Sequence, residues 1–369
     1  MNPKYLSTVS ELDNLVGLKP KEREVMEKVC QKFPFRSNKY YLSLIDWKDG
    51  LDPIRRIVIP DSRELECGGS LDPSSEKEFT RLPGVQHKYA QTGLLLLSDV
   101  CGGICRFCFR KRLFMKEERE TVKDVSQGIE YIRCHPEITN VLLTGGDPLT
   151  LETRRLDAVL RQLREIEHVN IIRIGSKLPA YNPYRILNDR DLLNCLKRYS
   201  TPEKRIYLMA HFNHPRELTE VSLRAIEELQ RANVIVVNQT PLLNEVNCSP
   251  AILSSLFCQL SFSGISPYYV FQCRPSTGNR FFQIPVERSY QIIQQAWKKC
   301  SGLAKRARFV MSHSTGKIEI VGKTAQHVFM RYHQAADPDE IGKFMAFRSN
   351  ENATWFDDYH RHSPDLLKP

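Results

Sequence analysis

The sequence predicts an α/β protein built on a largely parallel sheet, and two observations carry that expectation. Short apolar or β-branched runs recur at residues 94–97, 141–143, 170–174, 205–209, 234–237, 267–271 and 308–311, most of them separated by helix-length amphipathic stretches such as 154–166 and 217–232. Each run also ends in polar, chemically capable residues. Strands alternating with helices imply a parallel sheet with covered faces. Such units suffice for an open, partial (β/α) barrel, whose reactive groups gather at the carboxyl ends of the strands. A doubly wound sheet gives the same rhythm, so the pattern alone leaves both standing.

Composition narrows the class. At 369 residues, 41% hydrophobic and 26% charged, the chain is an ordinary globular one, long enough for two domains or one barrel with extensions. No apolar run is long enough to span a membrane, and Met1-Asn2-Pro3-Lys4-Tyr5 has no apolar signal core, so a cytoplasmic protein is expected. Eleven cysteines without such a signal point to free thiols or cluster ligands in a reducing interior. The formal charge of +10 is spread along the chain, which argues against nucleic acid. Its densest group, Arg106, Arg110, Lys111 and Arg112, is expected to meet anionic cofactors and carboxylates.

Taken in order, residues 1–84 read as a mostly helical N-terminal region. An amphipathic helix opens at Pro20, an extended proline-punctuated passage begins at Leu51, and a mostly polar turn cluster covers 70–75. The β/α rhythm fills 85–319, and 320–369 is a short C-terminal extension. At the strand ends stand, in order, a cysteine loop, Thr144-Gly145-Gly146-Asp147-Pro148, Gly175-Ser176-Lys177, His211-Phe212-Asn213-His214, Asn238-Gln239, Cys273-Arg274 and Ser314-Thr315-Gly316-Lys317.

The first of these loops is the most specific. Cys101, Cys105 and Cys108 follow a C-x3-C-x2-C spacing, which can hold three irons of a [4Fe–4S] cluster and leave the fourth open. Structural zinc would want four ligands in paired spacings, and no second pair follows nearby. An open iron that S-adenosylmethionine (SAM) can chelate is the arrangement of the radical SAM enzymes.

The segment 101–112, Gly145-Gly146-Asp147, Arg173-Ile174-Gly175-Ser176, His211-Phe212-Asn213-His214-Pro215, Asn238-Gln239 and Pro267-Tyr268-Tyr269 together resemble, in place and order, the lysine 2,3-aminomutase family, radical SAM enzymes that also use pyridoxal phosphate (PLP). The resemblance runs from about Tyr40 to beyond Lys317. It implies a radical SAM partial barrel with Cys101, Cys105 and Cys108 on the cluster, Gly145, Gly146 and Asp147 close to SAM, with the carboxylate on its ammonium, and Ser176 also at the cofactor. Lys317 would form the PLP Schiff base from a flexible loop at the last strand end. Lys88, Tyr89, Asn238 and Gln239 match positions near the PLP ring and phosphate, with His211 in the same pocket or a satisfied core histidine. Lys88 stands where the family has an arginine, which keeps the charge and loses the bidentate fork. Arg110 matches the arginine that grips the substrate α-carboxylate. An electron donor such as flavodoxin or ferredoxin and a homo-oligomeric state are further implications.

Two departures bear on the substrate. Where the lysine enzymes hold the side-chain ammonium with two aspartates, this chain has Arg274 and, seven positions before Lys317, Val310. A cation and an apolar group there disfavour lysine by an amount on the order of several kcal/mol. Arg274 suits a side-chain carboxylate, and a small neutral substrate stays open. Ser312-His313-Ser314-Thr315-Gly316 also replaces the family's glycine-rich approach to the PLP lysine. In the tail, His327, His333, His360 and His362 are too irregularly placed for a zinc site. The expectation is therefore a 2,3-aminomutase. In it a 5′-deoxyadenosyl radical from SAM removes a β-hydrogen and nitrogen moves from the α- to the β-carbon, on an acidic or small amino acid. Its rivals are an aminomutase acting on free lysine or in the elongation factor P pathway, and a non-catalytic iron–sulfur regulator that binds nucleic acid.

Overall fold

The N-terminal residues fold as short helices laid against the later cysteine loop. In the computed structural model, which describes residues 3–115, 120–362 and 366–367, strand β1 (Tyr5–Leu6) pairs antiparallel with β2 (Ser37–Asn38). Met1, Asn2 and the side chains of His360 and His362 lie outside the described residues. Thr8 and Glu11 form a reciprocal capping box that starts the helix Val9–Val16, and Gly17, at φ 69°, ends it. The helix expected at Pro20 is present as Pro20–Lys32, with proline in its first turn. The passage from Leu51 is not extended as expected. Asp52 accepts from the Arg55 amide at 2.9 Å and Pro53 occupies the first helical turn, so Pro53–Val58 is a helix. Proline there is a helix starter, not a breaker.

The main sheet has twelve strands whose spatial order follows the chain. It opens with β3 (Thr80–Leu82) and β4 (Val85–Tyr89), antiparallel to each other, and β4 runs antiparallel to β5 (Thr92–Ser98). Then come β6 (Asn140–Gly145), β7 (Ile171–Ser176), β8 (Ile206–Ala210), β9 (Ile235–Leu242), β10 (Ser266–Gln272) and β11 (Arg308–Ser312). From β5 to β11 every neighbouring pair is parallel. These seven strands coincide with the seven runs read in the sequence. Their order decides between the two candidate folds. A doubly wound sheet reverses direction at a switch point, whereas here each strand lies beside its successor, as in a (β/α) barrel that stays open. The sheet continues antiparallel through β12 (Gly316–Lys323), β13 (His327–Ala335) and β14 (Phe344–Arg348). It therefore runs unbroken from Thr80 to Arg348.

Helices Ser126–Arg133, Thr153–Arg164, Arg190–Tyr199, Glu220–Arg231, Pro250–Phe262 and Val286–Trp297 connect the parallel strands. Their apolar stripes, for example Leu156, Leu160 and Leu163, bury against Val141, Leu143 and Ile172 of the sheet. A separate apolar cluster ties Tyr41, Ile54 and Ile57 of the N-terminal region to Tyr181, Cys105 and Phe107, which fixes that region onto the cysteine loop.

Candidate active site

A cavity of about 310 Å³ enters from the carboxyl ends of the parallel strands and reaches down between them. Of the residues expected at the site, all but Asn238 line it. Asn238 and Gln239 are consecutive on β9, and successive strand residues face opposite ways. Gln239 faces the cavity. Asn238 turns away, and its amide both accepts from and donates to the Phe212 backbone, at 2.8 and 3.1 Å. Its work is to fasten the loop that carries His211.

At one end are the three thiols, held by a loop that the N-terminal region templates. Arg36 donates to the Cys101 carbonyl at 2.9 Å, Asn38 to the Gly102 carbonyl at 3.2 Å, and the Arg106 amide to the Ile57 carbonyl at 2.8 Å. Burial raises all three thiols, Cys105 to about 12. Among the described residues no three His, Cys, Asp or Glu side chains close to single-ion distances. The three thiols line one cavity, and a polynuclear cluster is held by such a set, each sulfur taking its own iron.

The loop after β6 lies against the cysteine loop. Gly145 has φ 107°, and a Cβ on Gly146 would stand 2.5 Å from the Val100 carbonyl oxygen. The glycines are thus required by the backbone of residues 98–100, whatever ligand also approaches them. Asp147 departs from its expected task. One of its carboxylate oxygens accepts from the Leu149 amide, and the other from the Ser176 hydroxyl and the Lys177 and Leu178 amides. Burial raises the carboxyl to about 6 against the pull of these donors. It ties its own loop to the one after β7, and little of its acceptor capacity is left for an ammonium.

The basic residues of the cysteine loop meet protein carboxylates. Arg106 and Lys111 share the buried Glu64, while Arg110 and Arg112 share Glu76, with Arg112 also on Glu120. Glu76 takes the side-on edge of Arg110, Nε and Nη2, at 2.6–3.1 Å, and Thr144 accepts from Nη1 at 2.9 Å. Arg110 held in this way lines the cavity. These arginines hold Glu76 down to about 2 despite its burial.

Arg274 follows β10 and is differently placed. Its guanidinium stacks 3.5 Å from the Phe109 ring centroid, and its buried Nη1 has no acceptor among the described residues. Burial lowers it to about 10. Val310 is fully buried in β11 and does not line the cavity, so its expected bearing on a substrate side chain is not realised.

The other end is built around Lys317. It belongs to the ordered hairpin β11–β12, where it pairs in register with Ser312, and not to a flexible loop. Its Nζ donates to Gln334 at 2.9 Å and lies 4.5 Å from the Tyr89 ring centroid. Burial, then the charges of Arg173, Lys88 and Arg274, push the amine well below its usual value, which favours its neutral, nucleophilic form. Lys88 donates to the His313 carbonyl at 2.5 Å and is lowered to about 8, chiefly by burial. His211 is lowered to about 3 by burial and is therefore neutral, 2.8 Å from the Gln239 amide nitrogen. Sequence reasoning missed Arg173, a half-buried arginine facing the cavity from the middle of β7, whose Nε donates to Asn140 at 2.8 Å. Its signal was available, since an arginine inside the run Ile-Ile-Arg-Ile has no reason to face inward except toward an anion.

Comparisons agree with this geometry. Residues 95–250 match the model of the radical SAM superfamily. The chain is 52% identical over 357 residues to an Aquifex aeolicus protein named "Putative L-lysine 2,3-aminomutase", covering 96% of each. It is 37% identical to the L-lysine 2,3-aminomutase of Clostridium subterminale, over 78% of this chain and 69% of that one. Identity to the glutamate 2,3-aminomutase of Clostridioides difficile is 35%, over 81% and 70%. This chain belongs to the radical SAM 2,3-aminomutase family. It is an isomerase, and as a member of that family it uses a [4Fe–4S] cluster, SAM and PLP, which when bound supply the electron, the hydrogen-abstracting radical and the carrier for the migrating nitrogen. The three thiols, the glycine-lined approach and the depressed amine of Lys317 fit that set. Among the described residues no helix is long and apolar enough to cross a membrane.

Proposed function

We propose that this 2,3-aminomutase acts on an acidic amino acid, glutamate or aspartate, and moves its α-amino group to the β-carbon. Arg274 is the observation that carries the substrate assignment. A buried guanidinium whose Nη1 lacks an acceptor carries a cost of about 1–3 kcal/mol, which an incoming carboxylate would remove. Lysine's ammonium would meet Arg274, Lys88 and Arg173 instead, and both oxygens of Glu76, the nearby carboxylate, are already taken by Arg110 and Arg112. In this assignment Cys101, Cys105 and Cys108 ligate the cluster and Lys317 carries PLP. Lys88, with Tyr89 and Gln239 beside the ring, meets the phosphate. Arg110 grips the α-carboxylate, and Glu76 holds that arginine in orientation. An electron donor of the flavodoxin or ferredoxin class would serve the cluster. All eleven cysteines are unpaired, which supports a reducing, cytoplasmic setting.

A product assay tests the assignment. Reconstituted protein with PLP, SAM and dithionite is given glutamate, aspartate, alanine, lysine and arginine in parallel under anaerobic conditions, with β-isomers resolved by chiral mass spectrometry. β-Glutamate or β-aspartate is expected. β-Lysine as the main product would overturn the substrate and leave the family chemistry in place.

A further inference from the structure

Tyr181 ends the short helix Leu178–Tyr181, is 1% exposed, and has its hydroxyl 3.1 Å from Cys105 Sγ. Among the described residues that hydroxyl makes no other hydrogen bond, and a buried hydroxyl requires a partner. The ring is closely packed. A Cβ on Gly103 would stand 3.0 Å from it, and the Tyr41 ring crosses it at 4.3 Å and 73°. Asn38 donates at once to the Tyr181 and Gly102 carbonyls, at 2.8 and 3.2 Å, so one amide fixes the tyrosine and the cysteine loop together.

We propose that Tyr181 tunes the reduction potential of the [4Fe–4S] cluster by donating a hydrogen bond to the sulfur of Cys105. An iron-bound cysteine is a thiolate with no proton to give, so the phenol is the donor. In the redox step the oxidised cluster takes one electron from an external reductant, dithionite or an electron-transfer protein. No covalent bond forms or breaks, and the hydroxyl proton stays on its oxygen. The added charge is shared with the ligating sulfurs, so a donor at one of them stabilises the reduced cluster more than the oxidised one and raises the potential. Tyr181 is thus a positioning residue, one that sets how readily the electron enters.

The test uses the full chain reconstituted with iron and sulfide, without substrate, in a mediated potentiometric titration followed by electron paramagnetic resonance, with iron counted. Tyr181→Phe keeps the ring and removes the donor. At a fixed potential its reduced-to-oxidised ratio should fall about tenfold, a downward shift of about 59 mV for a one-electron couple. Replacing Tyr181 with 3-fluorotyrosine, a stronger donor of nearly equal shape, should shift the potential upward. Tyr41→Phe, which removes a hydroxyl bonded to Glu217 at 2.6 Å and not to sulfur, should leave it in place. An unmoved potential in iron-replete Tyr181→Phe, or an equal shift in Tyr41→Phe, overturns the proposal. Should Tyr181→Phe not take up iron, the fluorotyrosine protein decides: an upward shift supports the tuning role and an unmoved potential overturns it.

Discussion

Replacing Arg274 by methionine separates the acidic-substrate assignment from its rivals. Methionine keeps most of the volume over Phe109 and removes the charge. A carboxylate about 4 Å from a guanidinium gains about 4 kcal/mol at an effective dielectric of ~20. Each decade of rate corresponds to about 1.4 kcal/mol, so the loss in kcat/KM for glutamate should lie between about 100- and 1,000-fold. Norvaline, which carries a methyl group in place of the side-chain carboxylate, should change by less than about threefold. The assay is the anaerobic one described above, run with both amino acids on both proteins. The variant should also be at least as thermally stable as the parent, because the substitution removes a buried cation with an unsatisfied Nη1. Equal losses for glutamate and norvaline, or a marked drop in thermal midpoint, would refute the assignment of Arg274 to the substrate.

Three further outcomes follow from the same geometry. Glu76 has its folded-state pKa depressed to about 2, so its stabilisation is present above its unfolded value near 4.5 and is lost as pH falls through about 2. Glu76→Gln should therefore cost about 3 kcal/mol near pH 6 and progressively less below pH 4.5, measured by denaturant unfolding across pH; a pH-independent difference would contradict this. Lys88, lowered to about 8, loses its charge as pH rises, so PLP affinity should fall above about pH 8; in Lys88→Arg that alkaline loss should disappear, as read by equilibrium dialysis of PLP. Gly146→Ala would press a Cβ to 2.5 Å from the Val100 carbonyl oxygen, lowering stability by about 1–3 kcal/mol and weakening SAM binding; an unchanged thermal midpoint would show that the loops yield.

The seven parallel strands were legible because each is a short apolar run, and the fold type waited on strand order, which periodicity does not encode. The cysteine loop and Lys317 were legible from spacing and resemblance. What the chain hid were partners remote in sequence. Glu64 and Glu76 lie 42 and 34 residues before the arginines they hold, Arg106 and Arg110, and in the linear chain the basic residues beside the cysteines looked available to cofactors. Asn238 and Asp147 were misjudged for one reason: a polar residue at a strand end can be spent on backbone amides and carbonyls, and only the three-dimensional positions reveal it. Pro53 was misjudged because proline breaks a helix interior but starts a helix when an acceptor such as Asp52 precedes it.

The most direct test is a competition between glutamate and lysine, each carrying 15N on the α-nitrogen, in a single anaerobic reaction with SAM, PLP and reductant. Product formation at C3 is read by NMR coupling between the labelled nitrogen and carbon. Migration of 15N from C2 to C3 of glutamate, with lysine unchanged, is the predicted result. Migration on lysine with glutamate untouched, or no migration on either and none on labelled aspartate in a parallel reaction, despite a loaded cluster and bound PLP, would contradict it.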